Sequence, residues 1–122
     1  MNKIADRRYR LKRRAEISRL FAQGRRVTDE LATLVALPND KRTGHCRHGV
    51  AVSKNHGNAV SRNRIKRLCR EALRGIRQDL PANWDFMVVP RVGGEFTLEG
   101  LKASIRSLAR RVIEQASDQS EQ

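Results

Sequence analysis

From Ala59 to about Arg77 the chain reads "AVSRNRIKRLCREALRGIR", and at about 100° per residue Ile65, Leu68, Cys69, Ala72 and Ile76 fall on one arc of a helix. Arg62, Lys66, Arg70, Arg74 and Arg77 fall on the arc beside it. Asn63 and Arg67 extend the polar face, and Arg64 lies nearer its far edge with Glu71. Such a helix has one face that the rest of the domain must cover and one that it cannot cover without neutralising it. The fold therefore has to supply an apolar layer on one side and leave the other side open. Gly57 supplies a tight turn ahead of the helix, Asn58 an N-cap, and Pro81 closes the element.

The covering layer is legible on both sides of this helix. "LATLVAL", Leu31 to Leu37, is short, partly β-branched and bounded by the breaker cluster "PNDKRTG"; "RHGVAVS" follows, with Val50 and Val52 alternating with small residues. These read as two strands joined by a loop. "WDFMVVP", Trp84 to Pro90, is apolar enough for a central strand. Upstream, the cationic run Arg7 to Arg14 leads into "AEISRLFAQG", where Ile17, Leu20 and Phe21 recur at helical spacing and Gly24 supplies a stop. After the glycine turn "RVGGE", Thr97 can cap a last helix whose buried side is Leu101, Ile105, Leu108 and Val112 or Ile113, with Gly100 tolerated in its first turn. "ASDQSEQ" is polar and expected to fray.

The order helix, strand, strand, helix, strand, helix implies an α+β two-layer sandwich, a small mixed sheet with its helices on one face. The other face, or a groove between the sheet and the first helix, is left for a ligand. At 122 residues the chain suits one domain. We read residues 1–115 as a single domain with a basic N-terminal arm over 1–14, and 116–122 as a flexible tail.

Composition decides what kind of ligand. Lys and Arg number 26 against 13 Asp and Glu, a formal charge of +13, yet 39% of residues are hydrophobic. A disordered basic tail would be poorer in aliphatic residues, so this is a folded domain whose self-repulsion calls for an anionic partner. In the basic helix the like charges have almost no acidic residue at i+4, which costs a few tenths of a kcal/mol per pair. Arg62 and Arg64 also stand where the helix dipole disfavours cations, by about 0.3 to 1 kcal/mol each. A phosphate backbone reverses both effects, because helix amides and guanidinium forks then face the same anions. A solvated surface is the bland alternative, and a cationic membrane-surface helix is a third. The membrane reading lacks the bulky apolar anchors that it needs beside the basic face.

"VSKNHGNAVSRNRIKRLCREALR", Val52 to Arg74, resembles the signature of the protein subunit of bacterial ribonuclease P: an Arg-Asn-Arg block, then Lys-Arg and a further Arg, preceded by Ser-Lys and a Gly-x-Ala turn. Arg10-Leu11 before a helix bearing Phe21 and Gly24, the strand "DFMVVPR" and the terminal amphipathic helix fall in the same order. The resemblance implies a fold like domain 2 of ribosomal protein S5, with a left-handed βαβ crossover through the basic helix. It implies a catalytic RNA subunit with Mg²⁺ held mainly by that RNA, and precursor tRNA, whose 5′ leader is removed, as substrate. On this pattern Arg62, Asn63, Arg64, Lys66, Arg67 and Arg70 face RNA. Phe21, Ser53 and Lys54 border a cleft for the single-stranded leader, with no catalytic residue and no metal ligand in the protein and no protein oligomer required. Ile17 and Val35 stand where some relatives carry aromatic residues, and Phe21 itself fits either the cleft or the core. A structural rRNA-binding protein of ribosomal type remains the alternative, since any such protein would be equally basic.

Other constellations point to no further chemistry. His45, Cys46 and His48 with Cys69 contain soft ligands, but their spacing matches no common zinc finger or ribbon. His56 beside Gly57 reads as a turn residue. Asp29, Glu30, Asp40 and Asp85 are scattered, which offers no carboxylate pair for acid–base chemistry. "RVGGE" lacks the strand and helix context of a nucleotide loop. The basic N-terminus has no apolar run of signal length, and no segment approaches the roughly 18 apolar residues of a span, so a cytosolic chain with two free thiols is expected.

Overall fold

The basic helix forms as its pattern requires, and what surrounds it is a four-stranded sheet seen in a computed structural model that describes residues 7–39 and 43–120. In chain order the elements are α1 (Arg14–Gln23), β1 (Arg25–Thr28), β2 (Ala32–Pro38), β3 (Arg47–Val50), a 3₁₀ turn (Lys54–His56), α2 (Ala59–Ile76), a second 3₁₀ turn (Arg77–Asp79), β4 (Trp84–Pro90) and α3 (Leu98–Ser120). The sheet order is β1-β2-β4-β3. β2 runs antiparallel to both β1 and β4, while β3 pairs with β4 in parallel, so α2 is the crossover of a βαβ unit.

The core explains this order. Leu34 and Ala36 of β2, with Phe86 and Val88 of β4, turn to one face, where Cys69, Ala72, Leu73 and Ile76 of α2 and Leu101, Ile105, Leu108 and Val112 of α3 bury against them. Val35 and Met87, one residue on in each strand, turn to the opposite face and meet Leu20 of α1 and Leu11. This is the period of two expected of strands with both faces covered. The α+β sandwich is therefore as read from the sequence, with one difference: α1 lies on the face opposite α2 and α3. It is only 10 residues long and covers part of that face, leaving the rest open.

Four further differences have local causes. β1 was not anticipated, because "RRVT" holds one apolar residue, Val27, and an edge strand of four residues gives no periodicity. Its turn into β2 is built by Asp29, whose Oδ1 accepts from the amides of Leu31 and Ala32 at 2.9 Å each. The two strands read as joined by a loop, β2 and β3, are separated in the sheet by β4, since apolar runs announce strands without announcing partners. The basic arm does not stand apart along its described length: His48 donates its amide to Tyr9 O (2.6 Å) and Leu11 to His48 O (3.0 Å), which ties residues 9–11 to the free edge of β3. Residues 1–6 of that arm and 40–42 of the breaker loop lie outside the described residues. Finally, α3 continues to Ser120, past the point where the polar tail was expected to fray, because polar composition removes a buried face without removing helix propensity.

Gly24 stops α1 for a reason other than a left-handed cap. Its φ is −70°, and a Cβ there would lie 2.5 Å from Leu20 O and 2.8 Å from a Val35 methyl, so close approach of helix to sheet is what selects glycine.

Candidate nucleic-acid interface

The interface begins where α2 begins. Ser53 Oγ accepts from Asn55 N (3.2 Å), Gly57 sits at φ +109°, and Asn58 Oδ1 accepts from Ser61 N (2.9 Å), so successive polar residues shape the turn that feeds the helix. His56 is part of this scaffold, with Nε2 2.9 Å from Pro90 O and its ring 6.2 Å from Phe96. No acidic residue occupies the first turn of α2.

With Cys69, Ala72, Leu73 and Ile76 sealed against the sheet, the sequence-predicted RNA contacts are distributed over three directions. Asn63, Arg64 and Arg67 are exposed on the outer face. Arg62 is half-buried, and its Nε is enclosed with no hydrogen-bond partner among the described residues. Such a donor costs about 1–3 kcal/mol until an acceptor arrives. Lys66 turns instead toward the uncovered part of the sheet, where it shares a hollow of about 360 Å³ with Phe21, Ala51, Ser53 and Val89. Arg70, four residues on, lines a different cavity.

Three residues predicted for a cleft thus separate: Phe21 and Ser53 meet in the hollow, whereas Lys54 is exposed on the adjoining 3₁₀ turn and is not among the hollow's lining. Phe21 does two things at once. It packs against the Leu11, Leu20, Val35 and Met87 cluster and shows its remaining surface to the hollow. The Arg26 guanidinium lies 5.6 Å from its ring centroid and donates to Phe21 O at 2.9 Å. Val35 is completely buried beneath α1 and offers no stacking surface.

Sequence reasoning missed the group that sets α1 in place. Arg47, only 9% exposed, donates from Nε to Asp85 Oδ1 (3.0 Å) and from a terminal nitrogen to Asp85 Oδ2 (2.9 Å) and Glu16 Oε2 (2.7 Å). Asn39 adds a 2.8 Å bond to Asp85 Oδ1. Burial disfavours the Arg47 charge, but the two carboxylates outweigh it and raise the guanidinium pKa. The available signal was Asp85, a lone carboxylate within a strand that otherwise reads as core.

The remaining candidates take structural positions. His45 and His48 pack around Tyr9, with ring centroids 4.7 and 6.3 Å away, and Cys46 turns into the core with Sγ 3.6 Å from Arg77 O. Cys46 and Cys69 are both free and buried, and burial pushes their thiols up to about 11 and about 12. Among the described residues no group of three or more His, Cys, Asp or Glu is placed to hold a metal ion. Asp29 accepts from Ser104 Oγ (2.5 Å) and pins α3 to the first hairpin, and Asp79 pairs with Arg106 at 3.2 Å. No helix among the described residues is long and apolar enough to cross a membrane.

A basic helix capped in this way, beside a hollow on an otherwise apolar sheet face, is an arrangement that comparison with known proteins places in a family. The Ribonuclease P family model matches residues 5–113. The chain belongs to the ribonuclease P protein family. The ribonuclease P protein component of Brevibacillus brevis is 35% identical over 111 residues, covering 88% of this chain and 87% of its own. That of Desulfovibrio desulfuricans is 37% identical over 112 residues, covering 89% and 86%. Among solved structures, the Staphylococcus aureus RNase P protein superposes with a TM-score of 0.68 at 30% identity, covering 88% of this chain and 94% of that one. The Thermotoga maritima RNase P protein, at 24% identity and a TM-score of 0.74, shares the fold. Membership in the ribonuclease P protein family sets aside the ribosomal alternative that charge alone left open.

Proposed function

We propose that this chain is the protein subunit of a ribonucleoprotein endoribonuclease that removes the 5′ leader from precursor tRNA. It binds the catalytic RNA through α2 and the leader through the hollow beside it. The observation that carries this reading is the outer face of α2: Asn63, Arg64 and Arg67 exposed, with Arg62 Nε enclosed and lacking an acceptor, at a helix start without acidic residues. Placed against RNA, that face meets phosphates with guanidinium forks and helix amides together.

The protein's contribution is positioning and charge. Bond cleavage is assigned to the RNA, where bound Mg²⁺ would activate the attacking water and stabilise the leaving oxygen. Phe21 lines the hollow together with Ser53 and Lys66, which supply a hydroxyl and a charge beside it. One base stacked on Phe21 is worth about 1–3 kcal/mol. With Val35 buried, the leader is held by one aromatic residue together with charge and hydrogen bonds.

Reconstitution tests this reading. The catalytic RNA is assayed on precursor tRNA at low Mg²⁺, with and without the purified chain, on substrates with long and very short leaders. The expected result is that the chain restores cleavage, more for the long leader, and that Phe21→Ala removes the leader-length dependence. No gain in cleavage, or cleavage by the nuclease-treated chain alone, would overturn it.

A further inference from the structure

The outer face of α2 carries a residue that neither packing nor charge accounts for. Val60 stands in the first turn of the helix with 77% of its surface exposed. Among the described residues the other large hydrophobic side chain left exposed is Val92, at 57%, in the turn between β4 and α3. A solitary exposed valine is ordinary and needs no account. The position of Val60 on the helix is what sets it apart. At about 100° per residue, Arg67 lies about 20° to one side of it, Asn63 about 60° on that same side, and Arg64 about 40° on the other. All three are exposed. Side chains on a helix lean toward its N-terminus, so Asn63 and Arg64 reach back over the turn that carries Val60. Glu71 shares the arc but stands about 16 Å further along the axis, where it pairs with Arg74 at 3.6 Å. An apolar side chain thus heads the row of cations instead of bordering the core.

The fold does not select this valine. It belongs to neither core cluster and lines neither the hollow beside Lys66 nor the cavity beside Arg70. Its branched side chain is also a poorer helix former than alanine, glutamate or lysine. The surface it would meet narrows the choice of ligand. A regular RNA duplex offers a protein helix phosphates and ribose hydroxyls, with its base faces stacked inside. A base face becomes available to a valine only where a nucleotide is unstacked, in a loop, bulge or junction.

We propose that Val60 packs against an unstacked base of the catalytic RNA, so that α2 recognises a non-helical element of that RNA in addition to its phosphates. The inference rests on the reading of α2 as the RNA-binding face, and it adds a contact that salt does not screen. Arginine–phosphate contacts weaken as salt rises, because they release counterions, whereas burial of apolar surface does not depend on charge.

The test measures affinity of the full chain for the catalytic RNA across a series of monovalent salt concentrations. Val60→Thr keeps the branched shape and replaces a methyl by a hydroxyl. It should weaken binding by about five- to tenfold at every salt concentration and leave the slope of log affinity against log salt as in the wild type. Val92→Thr, the same change at an exposed valine away from α2, should bind as the wild type does. Urea midpoints of both variants should match the wild type, since neither valine is packed. Base-specific chemical probing of the RNA at saturating protein supplies the second readout. One base that is reactive in the free RNA should be protected by the wild type and by Val92→Thr, and should stay reactive with Val60→Thr. A loss in Val60→Thr no larger than in Val92→Thr, a loss accompanied by a flattened salt slope, or identical protection with all three proteins would overturn the contact while leaving α2 as the RNA-binding face. Failure of the wild-type chain to bind the catalytic RNA would overturn that reading and this inference with it.

Discussion

Replacing Arg47 by methionine removes the charge that joins α1 to the sheet while keeping most of the buried volume. Three hydrogen bonds of 2.7 to 3.0 Å disappear, and Asp85, with its side chain 8% exposed, is left with the single neutral donor of Asn39. Removing one partner of a buried pair costs about 3–5 kcal/mol, because the other charge stays desolvated. Against a domain stability of about 5–15 kcal/mol this is a large share. For a domain of this size it lowers Tm by roughly 10–20 °C. Urea unfolding followed by circular dichroism measures it, and the double variant Arg47→Met/Asp85→Leu should recover most of the loss, since the carboxylate it keeps, Glu16, is less buried than Asp85. A loss under about 1 kcal/mol in Arg47→Met, or no recovery in the double variant, would refute the reasoning. Because Glu16 is the member of this network on α1, Glu16→Gln should cost less stability but weaken leader binding beside Phe21, with catalytic-RNA affinity unchanged.

Other expectations follow from single contacts. Gly24→Ala should destabilise by more than the ~1 kcal/mol that a helix-favouring residue could return, because the new methyl meets the Leu20 carbonyl and Val35 at 2.5 and 2.8 Å; urea midpoints decide, and a neutral or stabilising result contradicts the close packing of α1. Burial alone would raise the Asp29 carboxyl, but the Ser104 hydroxyl, the Ala32 and Leu31 amides and the Arg111 charge outweigh it and lower its pKa below the ordinary 3.8. Its contribution is therefore present above pH 3.8 and lost as pH falls through the depressed folded value, so the stability gap between wild type and Asp29→Asn should be constant near neutrality and close below pH 3.8. With thiols raised to about 11 and about 12, neither Cys46 nor Cys69 should react with iodoacetamide at pH 8 until urea unfolds the chain; rapid labelling of the native protein would contradict their place in the core.

What could be read from the residues follows from how each signal arises. The arc Ile65, Cys69, Ala72, Ile76 and the Asn58 cap lie within one element, and local periodicity with capping chemistry determines them; both stand in the structure. The same holds for Leu101, Ile105, Leu108 and Val112, and for Thr97, which accepts from Gly100 N at 3.0 Å. Relations between distant segments were not legible. Nothing in "RRVT" says that Val27 pairs across from Leu34, and nothing in two apolar runs says that β4 lies between β2 and β3. The site divides in the same way. Spacing gathered Arg62, Lys66 and Arg70 on one row, but the neighbours that tertiary structure brings differ for each: an enclosed Nε at Arg62, Phe21 and Ser53 near Lys66, and the N-terminal arginines near Arg70. The Arg47–Asp85–Glu16 network was hidden because a charged residue in a strand looks the same on paper whether it is solvated or paired across 38 residues of sequence.

The central claim is that the exposed face of α2 neutralises RNA phosphates, and the salt dependence of binding tests it most directly. Affinity of the catalytic RNA for the wild-type chain, Arg64→Ala and Arg67→Ala is measured across a series of monovalent salt concentrations, with circular dichroism confirming the fold of each. Each variant should bind more weakly at low salt, and the slope of log affinity against log salt should flatten by about one unit per arginine removed. Variants whose affinity and slope match the wild type would contradict the claim.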